Sequence, residues 1–215
     1  MIFSRVICHS AIASGLMPII MSSFVIAQAS TLSLDSLPPK CSPRIEISSL
    51  SGQYDGAVEK RIEEMFQADQ ADRQIMTERE LTQDEATRLI ANDFSRRQEV
   101  YSYISKGQVA SGKAFHRAAF IFQHGDCSAH YKFASELAAK AIELGYKENK
   151  WIYAAALDRY LLSVGKREKF GTQTTGGCPD EREFYDPETT DEERAVYDVP
   201  TLEELKNREP YFCSD

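Results

Sequence analysis

The segments Lys113–His124, KAFHRAAFIFQH, and Lys150–Val164, KWIYAAALDRYLLSV, are apolar on almost every side when wound at 100° per residue. A helix with that pattern has no face to give to water and belongs in an interior. Two buried helices need amphipathic neighbours to cover them, and the flanking sequence supplies three. Ala57–Met76 carries the stripe Val58, Ile62, Phe66 and Met76. The next helix opens on Thr82-Gln83-Asp84-Glu85, a capping-box pattern. Its stripe is Ala86, Ile90, Phe94, Tyr101 and Ile104, and Gly107 is its stop. Ser128–Leu144 turns Phe133, Leu137, Ala141 and Leu144 inward ahead of Gly145. Strand signals are few. The chain reads as all-α, a bundle or stacked helical hairpins of about five helices with an irregular C-terminal tail.

Charges stand where that pattern asks for hydrophobes. Asp69 and Arg73 interrupt the first stripe, Arg97 the second, and Asp158 and Arg159 the last buried helix. An unpaired buried charge is costly, so these groups must meet one another, a ligand or water. Two negatives against three positives lean the cluster towards an anion held by an arginine fork. Gln123, His124, Thr172 and Gln173 add neutral donors and acceptors. His124 is the candidate general acid/base, because histidine alone titrates near neutrality unperturbed. Asp158 is the candidate group to orient it. Asp69, Arg73, Arg97, Gln123, Arg159, Thr172 and Gln173 are candidate ligand-binding residues. A helix C-terminal cap is the bland role for His124, and a backbone hydrogen bond the bland role for Thr172. No metal site is expected: His116 and His124 are too far apart along one helix, and no cysteine pair has ligand spacing. No nucleophile elbow, phosphate loop or cofactor motif is present.

The remaining sequence bounds the setting. The chain has 215 residues and a formal charge of −8, with 42% hydrophobic residues. That composition is globular, and its acidity argues against a nucleic-acid partner. Residues 1–29 combine Arg5, an apolar run and Ala27-Gln28-Ala29, which reads as a signal peptide cleaved after Ala29. The mature protein is then exported, acidic and without a membrane span. Residues 30–55 read as an extended leader, 56–205 as the helical domain and 206–215 as a tail. Cys41, Cys127, Cys178 and Cys213 remain after cleavage. An even number in an exported chain points to two disulfides, with three possible connectivities.

Four of these motifs stand in an order that resembles the bacterial domain-of-unknown-function family 6624. They are Asp69-Gln70-Ala71-Asp72-Arg73, Gln123-His124-Gly125-Asp126, Asp158-Arg159 and Phe170-Gly171-Thr172-Gln173. The resemblance spans roughly Gly56 to Leu205. Gly125 replaces the family's commoner Ala, and Phe170 its commoner Tyr. The family implies no activity; it implies that these motifs belong together.

Three functions compete. The first is an exported hydrolase or small-anion binder with His124 as proton shuttle and the arginines as clamp. The second is a protein-interaction module whose small-residue helices pack like tetratricopeptide-type hairpins, the polar cluster only riveting them. The third is an inhibitor or immunity-type protein that uses its acidic surface.

Overall fold

The computed structural model describes residues 52–173 and 185–207. The expected signal peptide, nearly all of the leader, Cys41, Gly176-Gly177, Cys178, Cys213 and most of the tail lie outside those residues. Within them the chain is all-α. The helices are α1 (Gly56–Glu78), α2 (Gln83–Ser105), α3 (Gly112–Gln123), α4 (Ser128–Glu143), α5 (Trp151–Ser163), α6 (Asp191–Val196) and α7 (Leu202–Lys206). The described residues hold no strand, only a parallel bridge between Glu168 and Tyr185. No helix among them is long and apolar enough to cross a membrane. The five helices that periodicity marks are α1–α5. Periodicity does not mark α6, which forms on the acidic run after Thr190; the Thr190 side chain accepts from Glu193 N.

Local chemistry sets the helix starts. Asp55 caps α1, accepting from Ala57 and Val58 N. Thr82 and Glu85 make the expected capping box on α2. Ser111 caps α3, and Glu59 of α1 in turn accepts from Ser111 N at 2.9 Å and from its hydroxyl. That link fixes register. From it α1 and α3 run side by side in one direction: Glu63 meets Lys113 and Arg117, Phe66 packs edge-on against Phe120 at 5.3 Å, and Asp69 meets His124. α2 runs back along α1, where Arg61 donates to Glu99 at 2.8 Å. α4 returns along α3, with Phe122 against Phe133 at 4.8 Å. α5 then runs parallel to α3. The core lies among α1, α3 and α4, where Ile62, Phe115, Ile121, Phe122, Phe133 and Leu137 are fully enclosed.

Helix lengths then decide what stays outside. α1 and α2 have 23 residues each and α3 has 12, or about 35 Å against 18 Å. With Asp69 and Arg97 level with the end of α3, the hairpin of α1 and α2 continues past it as an arm. Here the stripe expectation fails. Ile90 is 66% exposed, Met76 40% and Phe94 38%. They occupy the correct angular positions, but no helix among the described residues lies opposite. Leu144, the C-cap residue that follows α4, is also exposed.

His116, buried in mid-α3, is locked as a neutral ring. Its Nε2–H donates to the Asn149 carbonyl at 3.1 Å, and Arg117 donates to Nδ1 at 3.3 Å. Phe120 and Tyr146 flank it. Burial first, then the Arg117 charge, lower its pKa below 6.5, against the Asn149 carbonyl, Glu148 and Glu63. A histidine whose folded pKa is depressed contributes stability that is full above the unfolded value and lost as pH falls below it. The loss of urea stability between pH 7.5 and 5.5 should therefore be smaller in His116→Gln than in the parent, by about 1 kcal/mol. Equal losses in the two proteins would mean that His116 does not stay neutral in the fold.

Candidate functional site

The polar residues collect where α3 stops. His124 is its C-cap, and the next residue does not enter the left-handed conformation that often closes a helix. The free carbonyls go instead to two arginines. Arg159 of α5 donates from Nη1 to Gln123 O at 2.8 Å, and Arg97 of α2 donates from Nη1 to His124 O at 3.1 Å. Gly125 follows because His130 packs against its Cα: a Cβ there would stand 2.3 Å from His130 Cβ.

The His124 ring turns to α1. Its Nδ1 lies 2.9 and 3.0 Å from the two Asp69 oxygens. An ionised carboxylate only accepts, so Nδ1 carries the proton and Nε2 holds a lone pair. Nε2 has no partner among the described residues, and the side chain keeps 14% of its surface open. Burial, then the charges of Arg73 and Arg159, hold the imidazole below its usual pKa, against the pull of Asp69. Burial alone would raise the Asp69 carboxyl; His124, Arg73 and Gln70 outweigh it and hold it below the usual range. The resting pair is a neutral imidazole on an ionised aspartate.

Behind Asp69 the arm is stitched by charge. Arg73 Nη2 lies 3.4 Å from Asp69 and 2.5 Å from Asp93. Arg96 donates to Asp93 at 3.1 Å and also to Asp72. Sequence reasoning missed Asp93 and Arg96. Asp93 had a readable signal: it stands four residues before Arg97 on the buried side of α2.

On the other flank Arg159 Nε donates to Gln173 Oε1 at 2.9 Å, and Gln173 Nε2 donates to Thr172 Oγ1 at 3.2 Å. Thr172 in turn donates through its hydroxyl to Asp158 at 2.8 Å. The expectation that Asp158 orients His124 is corrected here. Its two oxygens accept from the backbone N–H of Lys169, Phe170 and Thr172 at 2.7, 2.9 and 2.8 Å. Chain return explains this: the loop after α5 folds back over the helix it leaves and spends that carboxylate on its own amides. Burial pushes the Asp158 carboxyl up, and these donors oppose the shift. Asp69 takes the orienting position instead. Thr172 is likewise committed to Asp158 rather than presented as a nucleophile. Glu168 and Arg194, which sequence reasoning also missed, complete the loop's anchoring: Glu168 accepts from Gln173 N at 2.8 Å and Arg194 donates to Phe170 O.

The nine sequence-predicted site residues thus form one connected chain of contacts from Asp158 through Thr172, Gln173, Arg159, Gln123 and His124 to Asp69 and Arg73, with Arg97 beside it. Two members carry unused capacity. Gln123 is 5% exposed, and its buried Oε1 has no partner among the described residues. Arg159 makes no ion pair among the described residues; its guanidinium lies over the Tyr131 ring at 5.8 Å, and its Nη2 makes no hydrogen bond to any described residue. Asp126, Cys127 and His130 also bring potential metal-ligand atoms within 4.8 Å of one another. There His130 Nδ1 lies 3.0 Å from the exposed Asp126 carboxylate. No family model, curated protein or solved structure matches the chain.

The two ends of this chain differ in what they support. Asp158→Asn should cost about 3 kcal/mol in urea unfolding, because a buried carboxylate with four donors loses half its accepting capacity. Amide exchange at Lys169, Phe170 and Thr172 should accelerate with it. His124→Ala should stay within about 1 kcal/mol of the parent, since only one bond is lost at a partly open position. A larger loss at 124 than at 158 would reverse this assignment.

Proposed function

We propose that His124 and Asp69 form the acid–base centre of a small-molecule site, with hydrolysis as its chemistry. One observation carries this reading: a neutral imidazole is oriented through Nδ1 by a buried carboxylate while Nε2 remains free and reachable. In that arrangement Nε2 takes a proton from an attacking water, and Asp69 stabilises the imidazolium that forms. The proton returns to the leaving group in the second half of the reaction. Arg73 keeps Asp69 ionised throughout. Gln123 and Arg159 hold the substrate beside the ring. The four motifs of the family resemblance all fall on this chain of contacts, which supports keeping them together as one site.

Export belongs to the same proposal. The leader pattern of residues 1–29 supports it, and so does the even number of cysteines left after cleavage, since disulfides persist in oxidising compartments.

A second reading rests on the ion pairs of the arm. Asp72, Arg73, Asp93 and Arg96 satisfy one another, as a purely structural rivet would, and an interaction module needs no more than that. The readings part at Nε2. Hydrolysis of 4-nitrophenyl acetate, followed against pH, should rise to a plateau as His124 loses its proton below pH 6.5. The His124→Gln and Asp69→Asn variants should lose it by about 10²-fold while keeping the parent's near-ultraviolet dichroism. Parent-like rates in folded His124→Gln would leave the structural reading standing.

A further inference from the structure

Nine large apolar side chains are exposed among the described residues, and their placement is uneven. Six lie on the segments that continue past the end of α3: Ile75 and Met76 on α1, Ile90 and Phe94 on α2, and Leu162 and Val164 at the end of α5. The other three, Tyr54, Leu144 and Val196, stand elsewhere. The direction of the helices explains why the six share one end. Asp69, Arg97 and Arg159 are level with Gln123 and His124 through their hydrogen bonds. Everything beyond them in α1 and α5, and everything before Arg97 in α2, projects from the same end of the bundle.

Phase ties the α2 pair to the site. At 100° per residue Ile90 lies 20° and Phe94 60° from Arg97, on one side of it. Tyr101, at 40° on that side, packs against Phe133 of α4. The strip that is covered at Tyr101 therefore runs on, uncovered by any described residue, past Arg97 to Phe94 and Ile90. At its foot stand the groups with unused capacity: the buried Gln123 Oε1, His124 Nε2 and Arg159 Nη2. Arg159 is cationic with no carboxylate partner among the described residues, and its charge reaches His124.

From this juxtaposition we propose that the ligand is an amphiphile: a carboxylate-type anionic head on Arg159 and an aliphatic tail along Phe94 and Ile90. The proposal rests on the reading of His124 and Asp69 as a site and names what that site takes. Charge complementarity selects the head. The apolar strip selects the tail, since a wholly polar anion would leave it wet. An acyl ester or amide of this kind places its carbonyl between head and tail, beside Nε2. Water then adds to the carbonyl carbon as Nε2 takes its proton, and the leaving oxygen or nitrogen receives that proton as its bond to carbon breaks.

The test uses the folded mature chain and the carboxylates acetate, butyrate, hexanoate and octanoate, each below its micellar concentration, with octan-1-ol as the uncharged control. Affinity read by calorimetry should rise about two- to fourfold per added methylene, and octanoate should bind more tightly than the alcohol. The Ile90→Ser/Phe94→Ser double variant changes only exposed positions, so it should fold. It should flatten the series while leaving acetate unchanged. Arg159→Met should remove the preference for carboxylate over alcohol. A flat series in the parent, equal binding of octanol, or no binding of any member overturns the inference. The imidazole titration of His124 by NMR in the same samples separates this from the underlying reading. If Asp69→Asn still shifts that titration, the dyad stands without the amphiphile; if it does not, the dyad fails as well.

Discussion

Two arginines from different helices donate to the last carbonyls of α3, and the position of everything at the polar end follows from that pair of bonds. A helix C-terminus leaves carbonyls without intrahelical partners, and burying them unpaired is expensive. A glycine in the left-handed conformation is the usual remedy. Here α3 ends without one, and Arg97 and Arg159 reach in from α2 and α5. The two guanidiniums complement the negative end of the helix dipole. They also set the level of α2 and α5 against α3. His124, carried by the last residue of that turn, is then held at a fixed height opposite Asp69.

The same geometry explains why the arm beyond α3 is joined by charge. An antiparallel helix pair with no described element packed across it has no wide apolar seam to bury. Arg73, Asp93, Arg96 and Asp72 fill the place that hydrophobes would take in a thicker bundle. The buried contacts among them carry weight because each ion would be costly alone. The Arg79–Glu85 pair at the exposed tip adds little by comparison. The apolar side chains that the arm still carries are left facing outward, and the polar end of the bundle acquires apolar walls.

Much of this was legible in the sequence. The apolar wheels of Lys113–His124 and Lys150–Val164 mark the interior helices, and the charges out of phase with the stripes mark the residues that meet. What the sequence hides is length and return. Periodicity gives the angle of Ile90 and Phe94 but not whether a neighbour reaches that far, so two correct angles lead to a wrong burial. It places Asp158 inward but not the loop that folds back onto it, so the orienting carboxylate is sought on the wrong helix. Asp69, a whole helix away in sequence, takes that position because α1 and α3 share a register set at Glu59 and Ser111. Arg194 is invisible for a related reason: the short helix that carries it is docked by Phe170, Tyr153 and Tyr197 packing together.

Charge bookkeeping around His124 links the ligand to the proton. On one side stand Asp69, Asp72 and Asp93 against Arg73 and Arg96; on the other stand Arg97 and Arg159. Burial and the nearby arginines hold the ring neutral at rest, which is the state a general base requires. An anion against Arg159 cancels one of the charges that oppose protonation. Linkage then acts in both directions: the anion raises the proton affinity of Nε2, and a protonated ring binds the anion more tightly. In the proposed hydrolysis the imidazolium formed during water attack would thus be stabilised most with the head group seated. Under that proposal a site that keeps its base neutral while empty and favours the cation once occupied would confine the proton transfer to the bound complex.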